Sequence, residues 1–213
     1  LNTSYVDLFY HHRPDPETPL EETLSALVTA VQSGKALYVG VSNYPAELIK
    51  EASKWMKDAG VPLIVNQTCY NLFDREVEKG VLSQCQKRGL GFVAFSPLAQ
   101  GILTDRYLKG IPADSRIASQ SETLQKDDLT AHRIDQIQML NDVAKQRGQS
   151  LAQMALSWCV HDQRVTSVLI GASRVEQIKN CLGILDAKAF SEAELDQIDV
   201  ALGLKMSITT GDE

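Results

Sequence analysis

Apolar and β-branched residues fall in short runs along this sequence, and between the runs they recur at helical spacing. Tyr5-Val6-Asp7-Leu8-Phe9-Tyr10-His11 reads as a strand. Arg13-Pro14-Asp15-Pro16 forces a turn, because proline disfavours helix for the residue before it. Thr18-Pro19-Leu20-Glu21 reads as a capping box with proline at the first helical position. Leu20, Leu24, Leu27, Val28 and Val31 share one face of the helix that follows, and Gly34 closes it. The unit repeats with a strand over 36–41 and a helix over about 46–59, then a strand over 62–65 and a helix over about 76–88. A fourth strand covers 91–95. Strand starts near 5, 36, 63 and 91 stand about 30 residues apart, the rhythm of a parallel sheet with helical crossovers.

The rhythm breaks after Phe95. Residues 96–130 are polar, contain Gly and Pro and show no sustained period, which predicts a long loop. Helices return over about 131–147 and, behind the cap Ser150…Gln153, over 151–160. Thr166–Ile170 reads as a fifth strand, followed by Gly171-Ala172-Ser173 and a helix to Ile184. A last helix opens on the capping box Ser191…Glu194 and runs to about Leu202. The expected organisation is one partial barrel domain over 1–213 that includes this long loop.

Two α/β architectures compete for such a pattern, an open doubly wound sheet and a (β/α) barrel. The G-x-G-x-x-G turn of dinucleotide-binding open sheets is absent, since Gly89-Leu90-Gly91 precedes a strand and lacks the third glycine. Polar residues gather at the strand ends: His12, Ser42-Asn43, Asn66-Gln67, Ser96 and Ser173. In a barrel the active site sits at those ends. The pattern therefore favours a (β/α)8 TIM barrel, of which the sequence supplies five strands.

Composition narrows this further. With 44% hydrophobic and 23% charged residues the chain is an ordinary globular type. No run approaches the ~20 apolar residues of a membrane span. A net charge of -6 argues against a broad nucleic-acid-binding face. Cys69, Cys85, Cys159 and Cys181 stand far apart, which fits a reduced, cytoplasmic chain better than a disulfide scaffold. Eight strand–helix units need about 250 residues. The 213 residues here, beginning at Leu1 without a methionine, lead to the expectation of a truncated barrel holding strands 4 to 8.

Candidate chemistry sits at the strand ends. His11 and His12 alternate to opposite faces, so at most one faces a central site; a pair of surface or hydrogen-bonded histidines reads equally well. Neither has ligand-spaced histidine or cysteine neighbours, so no metal is expected. Gly171-Ala172-Ser173-Arg174-Val175-Glu176 ends a strand and opens a helix, with Ser173 as the expected cap and Glu176 as its partner. Free N–H groups at such a helix start attract an anion. Arg106, Lys109 and Arg116 add cations in the long loop. Physics alone reaches an α/β protein that binds a phosphorylated ligand.

Taken in order, the motifs resemble one family, the aldo-keto reductases. Asp7-Leu8-Phe9-Tyr10-His11-His12-Arg13-Pro14 is similar to its strand 4 motif, and Gly34 through Val41-Ser42-Asn43-Tyr44 to its strand 5 signature. Val65-Asn66-Gln67 and Phe95-Ser96-Pro97-Leu98 resemble strands 6 and 7. Leu169-Ile170-Gly171-Ala172-Ser173-Arg174 through Asn180 resembles strand 8 and its helix. The details look most like the branch with bacterial glyceraldehyde-3-phosphate and methylglyoxal reductases and the β subunits of potassium channels.

The resemblance implies an NADPH-dependent oxidoreductase that reduces an aldehyde or ketone by hydride transfer. It also leaves an alternative, a non-catalytic NADPH-binding regulatory subunit like those β subunits. It implies that Ser42, Asn43 and Gln67 bond the nicotinamide carboxamide, and that Phe95 stacks on the ring where relatives carry Tyr or Trp. Ser96, Pro97, Leu98, Gln100 and Gly101 would line the pyrophosphate, with Arg106 (Lys in relatives) and Arg116 from the cofactor loop. Gly171, Ser173 and Arg174 would approach the 2′-phosphate, and Gln177 and Asn180 the adenine; relatives have Glu at the last position and Asn at Cys181. His12 takes the part of the catalytic histidine that orients the carbonyl. The family's tyrosine, lysine and aspartate lie on strands 2 and 3 and their loops, and none of Tyr5, Tyr10, Tyr38, Tyr44, Tyr70 or Tyr107 falls at the matching position. The segment alone is therefore expected to be inactive. The expected partner is a small-molecule carbonyl, with no nucleic acid or membrane, and a homo-oligomer is left open.

Overall fold

A computed structural model of the chain describes residues 1–108 and 129–206. These residues group into two compact units. The first comprises 1–70, 74–95 and 162–169, and the second the described residues of 71–73, 96–161 and 170–213.

The first unit holds the sheet. Its elements are β1 (Val6–His11), α1 (Leu20–Gln32), β2 (Ala36–Ser42), α2 (Ala46–Asp58), β3 (Leu63–Cys69), α3 (Val81–Arg88), β4 (Gly91–Phe95) and β5 (Ser167–Val168). All neighbouring strands pair in parallel, in the order β1-β2-β3-β4-β5. Each strand lies beside its neighbour in the sequence, as in a barrel. A doubly wound sheet would reverse direction partway across. Leu24 and Leu27 of α1, Ile49, Ala52 and Met56 of α2, and Leu82 and Cys85 of α3 are buried, as are Val39, Val41, Phe92 and Ala94 of the strands. Gly40 is small because it must be. A Cβ there would stand 2.5 Å from Val65 Cγ1 and 3.0 Å from Tyr10 Cε1.

Several boundaries differ from the sequence expectation. Thr18 does not cap α1; its hydroxyl donates to Asp15 Oδ2 at 2.7 Å, and Pro19 takes the cap position with no side-chain bond. Gly34 does close the helix, at φ 69°, with Lys35 N donating to Ala30 O. β3 runs four residues further than its apolar stretch, because Asn66, Gln67, Thr68 and Cys69 stay in register with Phe92, Val93, Ala94 and Phe95. The helix expected over 76–88 divides at Gly80 into a 3-10 turn (Glu76–Lys79) and α3. A Cβ at Gly80 would lie 3.2 Å from Ala46 Cβ. β5 keeps only two of its five expected residues, with Thr166 N donating to Phe92 O and Leu169 N to Ala94 O on either side.

The second unit is helical. Its elements are α4 (Ala131–Gln146), α5 (Leu151–His161), α6 (Val175–Leu182) and α7 (Glu192–Ala201). Ile137, Leu140, Val143 and Ala144 of α4 form its core with Met154, Ala155 and Trp158 of α5 and Ile198 of α7. Both expected caps are present: Ser191 Oγ accepts from Glu194 N while Glu194 Oε2 accepts from Ser191 N, and Ser150 and Gln153 exchange the same pair of bonds. α6 is shorter than expected and ends in a 3-10 turn over Gly183–Asp186. Of the long loop, 96–108 carries two 3-10 turns, Ala99–Gly101 and Asp105–Tyr107. Lys109 and Arg116 lie outside the described residues. Among the described residues no helix is long and apolar enough to cross a membrane.

Candidate functional site

In the first unit the ends of β1, β2 and β3 bring His11, His12, Ser42, Asn43, Tyr44 and Gln67 together. His11 is the last residue in register with β2, paired with Val41, so His12 lies one residue beyond the ladder. Asn43 turns the chain away from β2 at φ 61°, a left-handed conformation that asparagine tolerates better than most residues. That turn aims its side chain back: Asn43 Nδ2 donates to His12 O at 3.1 Å and to Ser42 Oγ at 3.0 Å. Ser42 Oγ donates in turn to Gln67 O at 2.8 Å, and Asn43 N to the same oxygen at 2.9 Å. Both Nδ2 hydrogens of Asn43 are spent within the protein. Its Oδ1 is what the side chain can offer a ligand, and it offers an acceptor.

The two histidines separate as strand alternation requires. His12 is exposed. The His11 ring meets Tyr44 edge to face at 5.8 Å, with Nδ1 and the Tyr44 hydroxyl 2.9 Å apart. Burial pushes the Tyr44 phenol up to about 12 and the His11 imidazole below its ordinary value. Phe95, half-buried, closes the ladder opposite Cys69, and its carbonyl accepts from Tyr70 N at 3.3 Å.

In the second unit the segment after β4 is tightly coiled. Ser96, Ala99 and Gln100 hold φ of 52°, 45° and 57°, and Gly101 holds 100°. Three non-glycine residues in left-handed conformation within five positions store strain, which concentrates at ligand clamps. Asn71 braces this segment, a residue that sequence reasoning missed. It is buried, donates from Nδ2 to Ser96 O at 3.0 Å, and accepts from Phe73 N at 2.9 Å. It lies two residues beyond the end of β3, past the apolar stretch over 62–65 that marked the strand in the sequence. Gln100 Oε1 is buried with no hydrogen-bond partner among the described residues. A buried amide oxygen without a donor is uncommon and marks a place where a donor can be received. Pro97 is buried, Leu98 and Gly101 half-buried, and Arg106 exposed.

The turn into α6 differs from its expected form. Arg174, not Ser173, occupies the cap, and Gln177 replaces Glu176 as the partner. Gln177 Oε1 accepts from Ser173 N at 2.8 Å, from Arg174 N at 3.1 Å and from Ser173 Oγ at 3.3 Å. Two of the N–H groups expected to face an anion are thus already satisfied, leaving the exposed Arg174 guanidinium as the main cationic feature. Gly171 has open space where a Cβ would stand and no positive φ, so neither packing nor backbone demands a glycine there. Asn180 Oδ1 accepts from Ser150 Oγ at 3.0 Å.

The sequence profile of the Aldo/keto reductase family matches residues 1–202. L-glyceraldehyde 3-phosphate reductase of Escherichia coli is 50% identical over 203 residues, covering 93% of this chain. A probable voltage-gated potassium channel subunit beta of Oryza sativa subsp. japonica is 39% identical over 212 residues, covering 96% of this chain. The chain spans 59% of the first relative's length and 64% of the second's. Among solved structures, a thermostable aldo-keto reductase in complex with the inhibitor epalrestat superposes with a TM-score of 0.70 at 31% identity. That match covers 94% of this chain and 61% of the other.

Proposed function

The chain belongs to the aldo/keto reductase family and has its TIM-barrel type of fold, and from that premise we propose an NADPH-dependent oxidoreductase that reduces an aldehyde or ketone to an alcohol. Its five parallel strands are read as strands 4 to 8 of the eight-stranded barrel, on the order of their motifs and of the sheet. The observation that carries the functional reading is the turn after β2. Asn43 presents only an acceptor, Oδ1, and neighbouring Gln67 brings a half-buried amide, a complementary pair for a carboxamide.

NADPH, when bound, supplies a hydride from nicotinamide C4 to the carbonyl carbon of the substrate. Ser42, Asn43 and Gln67 would fix the carboxamide and with it the ring face, and Phe95 would stack on the ring. Ser96, Pro97, Leu98, Gln100 and Gly101 would line the pyrophosphate, and the partnerless Gln100 oxygen, an acceptor, would face a hydroxyl of the cofactor rather than a phosphate oxygen. Arg106 and Arg116 belong to the same reading. Gly171, Ser173 and Arg174 would receive the 2′-phosphate, and Gln177 and Asn180 the adenine through their amide nitrogens. His12 would donate a hydrogen bond to the substrate oxygen.

No residue of this chain is assigned as the proton donor. A general acid works best with a pKa near the operating pH. The Tyr44 phenol is pushed the other way, to about 12, and Tyr70 is buried with its hydroxyl on Glu78 Oε1 at 2.9 Å. These 213 residues by themselves are therefore expected to bind cofactor without turnover. The same reading carries a cytoplasmic location and a small-molecule carbonyl as partner.

Fluorescence titration with NADPH and NADH tests the cofactor assignment. NADPH should bind more tightly, and Arg174→Ala should narrow the preference about tenfold through loss of one charge-assisted contact. A preference that survives Arg174→Ala unchanged removes Arg174 from the 2′-phosphate site. The second reading, a non-catalytic NADPH-binding regulatory subunit, is favoured by the 39% identity to the channel subunit. It requires NADPH binding by the whole protein with no aldehyde-dependent oxidation.

A further inference from the structure

Tyr44 is one of the largest buried side chains in the protein, only 1% exposed, and it ends in a polar atom. A buried tyrosine hydroxyl needs a partner. Among the described residues that partner is His11, whose Nδ1 stands 2.9 Å away. The environment keeps both rings uncharged near neutral pH. Burial raises the phenol, and burial together with His12 lowers the imidazole against the opposing pull of Asp15. One position along, Asn43 Nδ2 reaches His12 O at 3.1 Å. Two successive residues of the turn after β2 thus grip two successive residues at the end of β1.

The grip falls where the backbone needs it. The register of β1 with β2 ends at His11. A residue just past the last rung of a strand ladder frays readily. A hydrogen-bonding group must nevertheless be held within about 0.5 Å of its working position. Phenylalanine would fill the Tyr44 site equally well, and an aliphatic residue would continue β1. The paired polar atoms are unexplained by packing alone.

We propose that His11 and Tyr44, with the Asn43–His12 bond beside them, form a clasp that positions His12, which makes His11 and Tyr44 positioning residues for carbonyl reduction. The proposal rests on the reading of His12 as the group that meets the substrate oxygen. The clasp itself is a matter of structure and can be tested separately.

The test uses the whole protein and three variants. Tyr44→Phe keeps the ring and removes the hydroxyl. His11→Leu removes the other half, and His11→Asn keeps a polar nitrogen or oxygen close to the place of Nδ1. The readouts are kcat/KM for an aldehyde with NADPH and the 15N signals of the His12 ring. Tyr44→Phe and His11→Leu should each lower kcat/KM about tenfold and move the His12 signals, since small misplacements of a positioned group are costly. The double variant should be no worse than either single one, and His11→Asn should stay within about twofold of wild type. Unmoved His12 signals in Tyr44→Phe, or single effects that simply multiply, would overturn the clasp. A wild-type protein that reduces no aldehyde would sink the functional reading instead, while the His12 signals would still decide the clasp.

Discussion

Arg147 shows what one buried charge does in this chain. Its side chain is 3% exposed, yet every face is occupied. It pairs with Glu194 Oε1 at 2.7 Å, donates to Gln149 Oε1 at 2.8 Å and Lys188 O at 2.6 Å, and lies 3.7 Å over the Phe190 ring. It thereby ties the end of α4 to the start of α7. Arg147→Ala should lower stability by about 2–3 kcal/mol in denaturant unfolding, through lost packing and a poorly paired Glu194. An unchanged midpoint would contradict that. His11 gives the residue scale its pH dependence. Its folded-state pKa lies below the ordinary 6.5, so the unfolded chain binds the proton more readily. This contribution to stability is present above pH 6.5 and is lost as the pH falls toward the depressed value. Unfolding midpoints of His11→Asn should drop less steeply than wild type on acidification below pH 6.5, and parallel slopes would refute the assignment. His12, Ser42 and Asn43 could be placed from the sequence because each stands at a strand end, whereas Gln67 lies inside β3, two residues before its end. The His11–Tyr44 contact was not, because its partners lie 33 positions apart and neither carries a spacing signal.

Elements were legible where local chemistry decides them and obscure where tertiary contact does. The boxes at Ser150…Gln153 and Ser191…Glu194 could be read because cap and partner are three residues apart. Thr18 fitted the same pattern and failed, because Asp15 competes for its hydroxyl. The turn into α6 shows the limit more finely: Gln177 takes the N–H groups that Glu176 was expected to take, one position earlier. β3 outran its apolar stretch because ladder pairing with β4 holds polar residues in the strand. Gly40 is the element-scale position most open to test. Gly40→Ala would press a methyl against Val65 and Tyr10, at a cost of about 1–3 kcal/mol. Equilibrium unfolding that shows no loss would mean the strands can part to admit it. Ser191→Ala should cost about 1 kcal/mol, since it removes the hydroxyl that caps α7.

At the scale of the whole molecule, the interval between strands carried the most information. A repeat of about 30 residues predicted parallel pairing, and the missing glycine turn favoured a sequential strand order. The sheet has that order. The sequence was less informative about the ligand face, because it fixes which residue types stand at strand ends and not which of their atoms are already spent. Asn43 as an acceptor, Gln177 as an internal cap and Gln100 as an orphan emerge only from the hydrogen bonds. Carbonyl reduction at His12 is the claim on which the rest depends. Its most direct test is aldehyde-dependent oxidation of NADPH by the whole protein, wild type beside His12→Ala, with NADPH affinity measured in parallel. The account predicts oxidation by wild type and a fall of about a hundredfold in His12→Ala at unchanged NADPH affinity. NADPH binding with no oxidation of it by any aldehyde, or a rate indifferent to His12, would contradict it.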